Sequence, residues 1–314
     1  MLFYIARRLL QTIPVVLVVA VVVFSIVRLS GVKPGAILAG ENATPAEIEA
    51  VNTSLGLNDP LPVQFVRWTW NALQGDLGRS FSTRTKTVNE LIRDSVEPTI
   101  SLALLTMFFS VLIAVPIGVI AARYSGTWRD RTVMGFSVIG FSIPVFVIGY
   151  LLTYIFAIKL EWLPVQGYQP LSNGVGPWLR HLALPTLTLT IVYVALIARM
   201  TRTSVLEVLS EDYVRTARAK GQTEQKVLFR HALRNAAVPI VTVIGLGVAL
   251  LIGGAIVTEN VFSLPGLGRL TVNAVLQRDY PVIQGVTLLF SLAYVVINLI
   301  IDIIYTLLDP RIRY

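Results

Sequence analysis

Few side chains in this sequence are equipped for covalent or metal chemistry. There is no cysteine, hence no disulfide framework, thiolate ligand or cysteine nucleophile. The two histidines, His181 and His231, are far apart and neither has a second ligand at metal spacing. No lysine follows a glycine, which excludes a Walker A phosphate loop, and no G-x-S-x-G elbow occurs. The sequence predicts no catalytic residues, no metal site and no cofactor in this chain. What it does offer is one densely charged stretch, EDYVRTARAKGQTEQKVLFRHALRNAAVP at 211–239, set between two long apolar segments.

That stretch divides at Gly221. Ser210 is placed to cap a helix whose first turn holds Glu211 and Asp212 and whose last holds Arg218 and Lys220, a charge order that suits the helix dipole. Gly221 can take the left-handed conformation that ends a helix. Thr223 then caps a second helix that opens with Glu224 and Gln225 and runs to about Asn235, and Pro239 marks the start of the next apolar segment. The small Ala217 and Ala219 would let another protein approach closely, and Tyr213, Val227, Leu228 and Phe229 supply apolar anchors. Two readings stand on the residues alone. One is a basic loop resting on anionic lipid. The other is a docking element for a second protein, which the glycine and the paired caps favour.

The elements that carry this stretch are membrane helices. Of 314 residues 54% are hydrophobic and 14% charged, against about 25% charged in a soluble domain. A span needs about 20 mainly apolar residues. Six segments qualify, at 9–30, 99–122, 132–158, 183–203, 237–258 and 285–308. The apolar run from Ile13 to Val27, with no small-residue cleavage site after it, reads as a retained helix and not a removed signal. Arg7, Arg8, Arg123, Arg129, Arg131, Arg199, Arg202, Arg215, Arg218, Lys220, Lys226, Arg230, Arg234, Arg311 and Arg313 all fall on one side if both termini are cytoplasmic. The net charge of +8 is therefore read as loop bias, not as a nucleic-acid surface. The fold class expected is all-α integral membrane, six helices, with an external insert after the first. Residues 1–98 hold an interfacial start, the first helix and that insert. Residues 99–314 form a five-helix core with the charged segment at 204–236. In the insert, Thr44 and Pro45 open one short helix and PVQFVRWTWNALQ forms a second, amphipathic one.

Within the expected spans the one carboxylate is Asp302, near the inner end of the last helix. Its expected role is a structural ion pair with Arg199 or Arg202. Pro116 and Pro144 fall inside the second and third spans, and Gly245, Gly247, Gly253 and Gly254 in the fifth. Ordinary close helix packing explains such residues. So does a translocation path lined by broken helices. Asp309 and Arg311 are expected to fix the C-terminal tail.

DYVRTARAKG followed by RHALRNAAVP resembles the coupling-helix region of inner-membrane permeases of ATP-binding-cassette importers. It is most similar to the dipeptide/oligopeptide permease family, in the first of its two permease types. In importers generally this region reads E-A-A-x-x-x-G. Here only Ala217 and Gly221 match, a departure associated with the peptide branch. The resemblance runs along the chain through YIARRLLQTIPVVLVV, GDLGRSF, SIPVFVIG, LEWLPVQGY, HLALPTLTL, TENVFSLPGLGRL, RDYPVIQG and NLIIDIIYTLLDPRIRY.

The resemblance implies the fold of a type I importer permease in the bacterial inner membrane, lipid-embedded. Its partners would be a second homologous permease, two ATPase subunits that hold ATP and magnesium, and an external solute-binding protein; nucleic acid is not among them. Coupling to the ATPase would rest on Tyr213, Ala217, Arg218, Ala219, Lys220, Gly221 and His231. Small peptides are the expected cargo, with glutathione, a nickel chelate, an opine or an oligosaccharide as alternatives. An autonomous secondary transporter would need several intramembrane ionisable groups. A membrane enzyme would need a clustered nucleophile, base or metal set.

Overall fold

The computed structural model describes residues 2–29, 34–39, 43–83 and 85–308. Asp309 and Arg311, expected to anchor the tail, lie outside them. Among the described residues the regular structure is helical, apart from one isolated antiparallel bridge between Arg79 and Thr87. The helices are α1 Leu2–Leu29, α2 Pro34–Ala39, α3 Pro45–Ser54, α4 Leu61–Leu73, α5 Val88–Arg123, α6 Trp128–Ser142, α7 Val145–Leu152, α8 Val175–Leu209, α9 Asp212–Ala219, α10 Glu224–Lys226, α11 Leu233–Asn235, α12 Ala237–Val261, α13 Leu267–Leu276 and α14 Tyr280–Leu308. Thr153–Lys159 and Val227–Ala232 are wound as π-helix. The chain forms two compact units, Met1–Val96 with Leu270–Val295, and Glu97–Arg269 with Val296–Tyr314.

Four helices, α5, α8, α12 and Tyr280–Thr306 of α14, are long and apolar enough to cross a bilayer. A fifth crossing is available if α6 and the Val145–Lys159 pair count as one span, bent by 100°. The first expected span corresponds to α1, whose shorter apolar stretch is Leu10–Ile26, near the lower length limit for a crossing. The bend falls at Pro144, one of the two prolines expected to kink these spans. Its cause is local: Ile143, which precedes Pro144, is extended at φ −82°, ψ 127°, because a residue before proline is pushed out of the helical region. Pro116, by contrast, stays within a continuous α5. The same helix starts eleven residues before the expected span, from 88 rather than 99, because Thr87 and Glu90 form a reciprocal cap of 2.8 and 3.2 Å.

In the second unit α8 is the central helix. In its apolar window 67% is buried, against 28% for α5 and 33% for α12. Leu182, Leu184, Leu189, Tyr193 and Ile197 of α8 meet Leu102 and Ala114 of α5 and Val243, Leu251 and Ala255 of α12 in one apolar cluster. Small residues set the approach. A Cβ on Gly118 would lie 2.6 Å from Thr201 Cβ and 2.8 Å from the Ala198 carbonyl, so α5 and α8 touch backbone to backbone there. In the first unit, α3 opens as its residues require, with Thr44 and Glu47 forming a reciprocal cap and Pro45 at the first position. Phe24 of α1 stacks edge-on against Phe65 of α4 at 5.3 Å and lies 5.9 Å from Trp68.

Candidate functional site: the charged segment and three buried carboxylates

The charged segment forms helix, turn, helix. α9 runs from Asp212 to Ala219, Gly221 has φ 76°, and α10, the π-wound 227–232 and α11 continue to Asn235. A Cβ on Gly221 would meet nothing within 4 Å, so the constraint there is the backbone angle and not space. Two details differ from the sequence expectation. Ser210 ends α8, and its hydroxyl donates back to the Glu207 carbonyl at 2.6 Å, leaving Glu211 at the N-cap. Thr223 takes the N-cap backbone conformation of α10 without a side-chain hydrogen bond.

The segment has an inner and an outer face. Val214, Ala217, Val227, Leu228 and Ala232 are buried. Leu228 and Ala232 join Val119 and Ala122 of α5, Val205 of α8, and Ala236 and Ile240 in a second apolar cluster. Ala217 is buried within this chain, because period 3.6 turns Val214 and Ala217 to the same inward side. Val227 and Leu228, expected as anchors for a partner, are buried likewise. The outward face carries Tyr213 at 42% exposure, Arg218, Ala219, Lys220, Gly221 and Phe229 at 62%. His231 is half-buried between them. Across the glycine turn Arg218 Nε donates to Glu224 Oε1 at 2.9 Å. Asn235 Nδ2 donates to Tyr213 Oη at 2.9 Å and to the His231 carbonyl at 2.8 Å. Two cross-links thus fix the angle between the two arms.

The residues proposed for a path separate. Gly245 is where α12 meets α14, since a Cβ there would lie 2.9 Å from Ile301 Cγ1. Gly247 and Gly254 face Tyr193 at ordinary contact distance, and Gly253 has open space beside it. Pro116 and Pro144 are exposed, and Pro144 sits at the bend. The structure does not gather these six residues into one lining.

Three buried carboxylates hold loops to helices. Asp130, in the first turn of α6, receives Arg202 in a two-pronged ion pair, through Nε and, at 2.7 Å, Nη2. The Gly126 amide donates to it at 2.9 Å. Of the two arginines expected to pair with Asp302, Arg199 or Arg202, the second is thus paired with Asp130. The fork of Arg202 is already filled by Asp130, and Asp302 lies half-buried on α14 while Arg199 is exposed. Glu259 is fully buried within α12, so Asp302 is not the one carboxylate in these helices. Thr99 Oγ1 donates to Glu259 Oε1 at 2.6 Å and accepts the Leu267 amide at 2.8 Å. The Arg269 amide donates to Glu259 Oε2 at 3.0 Å. Gly266 and Gly268 leave room for the carboxylate, since a Cβ on Gly268 would stand 2.9 Å from Oε2. Asp279, just before α14, accepts from the hydroxyls of Ser80 and Ser82, the latter at 2.7 Å, and from the amides of Phe81 and Ser82 at 3.0 Å. Burial raises its pKa, but these hydrogen bonds more than offset burial and hold it below the usual carboxylate value. Sequence reading missed Glu259 and Asp279 as clamps. The signal available for the first was a carboxylate followed by two closely spaced glycines around Leu267.

Glu259→Ala leaves the Thr99 hydroxyl and the Arg269 amide without their acceptor, at about 1–3 kcal/mol for each unpaired group. Glu259→Gln keeps the shape and one acceptor. Thermal unfolding of the purified complex should rank wild type above Gln above Ala; an Ala variant as stable as wild type would remove the clamp. Asp279→Asn tests the charge. A depressed carboxylate adds stability that is complete above its unfolded pKa, about 3.9, and is lost as pH falls through its lower folded value. The gap in midpoint between wild type and Asn should be constant from pH 7 to about 4 and close below it. A gap unchanged into stronger acid would show that the ionised form is not what is held.

Comparison with known proteins places this arrangement. Residues 1–103 match the family described as binding-protein-dependent transport system membrane component, N-terminal, and residues 114–314 match the binding-protein-dependent transport system inner membrane component. A probable peptide ABC transporter permease protein of Sinorhizobium fredii is 54% identical, over 99% of both chains. A putative peptide transport system permease protein of Brucella abortus is 43% identical over 99% of this chain and 98% of its own. A glutathione transport system permease protein of Salmonella typhi is 46% identical over the whole of both. Among solved structures, an inward-facing conformation of the MetNI methionine ABC transporter superposes at TM-score 0.58 and 20% identity, over 70% of this chain and 96% of that one, which shows a shared type I importer permease fold. The chain belongs to the binding-protein-dependent inner-membrane transport components and is a membrane-spanning permease subunit of an ABC transporter.

Proposed function

We propose that this permease forms half of a translocation path for small peptides, delivered by an external solute-binding protein and driven by ATP hydrolysis in partner ATPase subunits. The observation that carries the reading is the two-faced segment 211–235. Its inner face packs on α5, α8 and the start of α12 through Val119, Val205 and Ile240, while its outer face offers Tyr213, Arg218, Lys220 and Phe229 to a partner. A partner that moves this segment moves the ends of three helices with it. Closure of an ATPase pair on ATP and magnesium would then bias a two-state rearrangement of the helices. The segment and both termini are cytoplasmic in this reading, which the bias of Lys and Arg supports. The bacterial inner membrane is the site of action, and a second, related permease completes the path.

Peptide cargo is supported by the names of relatives at 54% and 43% identity. Glutathione, itself a modified tripeptide, is the second reading, favoured by the relative at 46%. Nickel chelates, opines and oligosaccharides remain cargo of the same architecture.

The test is ATP hydrolysis by the complete transporter in lipid vesicles, with the binding protein loaded in turn with di- and tripeptides, glutathione, sugars and metal chelates. Stimulation by peptides is expected; stimulation by another cargo alone would replace the substrate, and none by any would sink the importer reading. Gly221→Val forces a β-branched residue to positive φ at a position with free space. It should insert normally and lose the stimulated rate, while unimpaired stimulation would remove the coupling role of this turn.

A further inference from the structure

Residues 123–131, RYSGTWRDR, join α5 to α6 and hold three arginines and one carboxylate. The carboxylate is withdrawn: Asp130 is buried and taken up by Arg202 and the Gly126 amide. Arg123, Arg129 and Arg131 are exposed, and none is ion-paired among the described residues. Arg123 stands 5.2 Å from the Tyr124 ring centre, and Arg129 stands 4.4 Å from that of Tyr124 and 5.8 Å from that of Trp128. Such stacking orients a guanidinium while leaving its N–H edge free to fork onto phosphate oxygens. Trp128 is itself 72% exposed. The helices leaving the loop present apolar surface to the surroundings, through Leu112 and Ile120 on α5 and Phe136, Val138 and Ile139 on α6. At 1.5 Å per residue, Ile120 lies about 4.5 Å from Arg123 along the axis and Phe136 about 12 Å from Trp128. Exposed apolar surface thus lies directly behind the charged loop on both helices.

We propose that this loop binds the phosphate of an anionic phospholipid, with Arg123, Arg129 and Arg131 on the phosphate and Trp128 in the interfacial layer. Aromatic rings at this depth and cations beside them match a membrane surface better than a protein groove, which would bury Trp128. With Asp130 buried against Arg202, the loop presents three exposed arginines and no exposed carboxylate. The site does not depend on the cargo or on coupling, so its test stands apart from the transport assay.

The experiment is native mass spectrometry of the intact, purified transporter titrated with phosphatidylglycerol or phosphatidylcholine. Wild type should retain phosphatidylglycerol that the triple variant R123Q/R129Q/R131Q releases, with phosphatidylcholine retention unchanged in both. Each arginine removed should weaken retention about fivefold. Because three changes together can impair assembly, the single variants and W128A are read on the same scale, and a graded loss is expected. Equal phosphatidylglycerol retention in all variants would overturn the proposal. So would loss of the ATPase subunits from the variant with lipid retention intact, which would assign the surface to a protein partner. Displacement of the bound lipid by excess glycerol phosphate would assign it to a soluble phosphate ligand instead.

Discussion

A polar group inside a membrane helix has no water to turn to, so each one must find its partner in the protein. Three carboxylates of this permease meet that constraint where loops meet helix ends. Asp130 binds the 125–126 turn and α8, Glu259 binds Thr99 and the 267–269 backbone, and Asp279 binds residues 80–82. Each carboxylate has more than one donor, which is what makes burial of such a group tolerable. Loops held this way are not free flaps. They move with the helices to which they are fastened, and that gives a rigid-body rearrangement something rigid to act on.

The charged segment shows the same economy in apolar form. One side of α9 and the 227–232 winding is committed to the cluster with Val119, Val205 and Ile240. The Arg218–Glu224 pair and the Asn235–Tyr213 bond then set the angle between the arms. Exposed ion pairs are weak, typically below about 1 kcal/mol, so the pair at the turn gives orientation more than stability. Orientation is what a lever needs. The apolar seat prevents the segment from sliding over the helix ends when its outer face is pushed.

What the sequence disclosed was local. Thr44 with Pro45, and Gly221 at its turn, could be placed because a cap or a positive φ is decided by a few neighbouring residues. The long apolar helices were equally legible, since lipid demands their length and composition. The sense of Ala217 was not, because the choice between own core and partner surface depends on which helices stand beneath it. Arg202 was one of two expected partners of Asp302, whereas the chain brings Asp130 to it through the α5–α6 turn. Pro116 and Pro144 look alike in sequence. One is accommodated in a continuous helix and the other stands at a 100° bend.

Glu259 bears on how the transporter is driven. An ionisable group buried in a membrane helix, here in the last turn of α12, is ordinarily a reason to think of a proton relay. A relay needs a next acceptor within reach. The partners of Glu259 are the Thr99 hydroxyl, which donates to it, and the Arg269 amide, which cannot take a proton onward. Asp130 is tied to Arg202, a group that stays charged at any ordinary pH. Both carboxylates fasten one element to another. In the coupling scheme proposed above, work done on the solute enters through the segment 211–235.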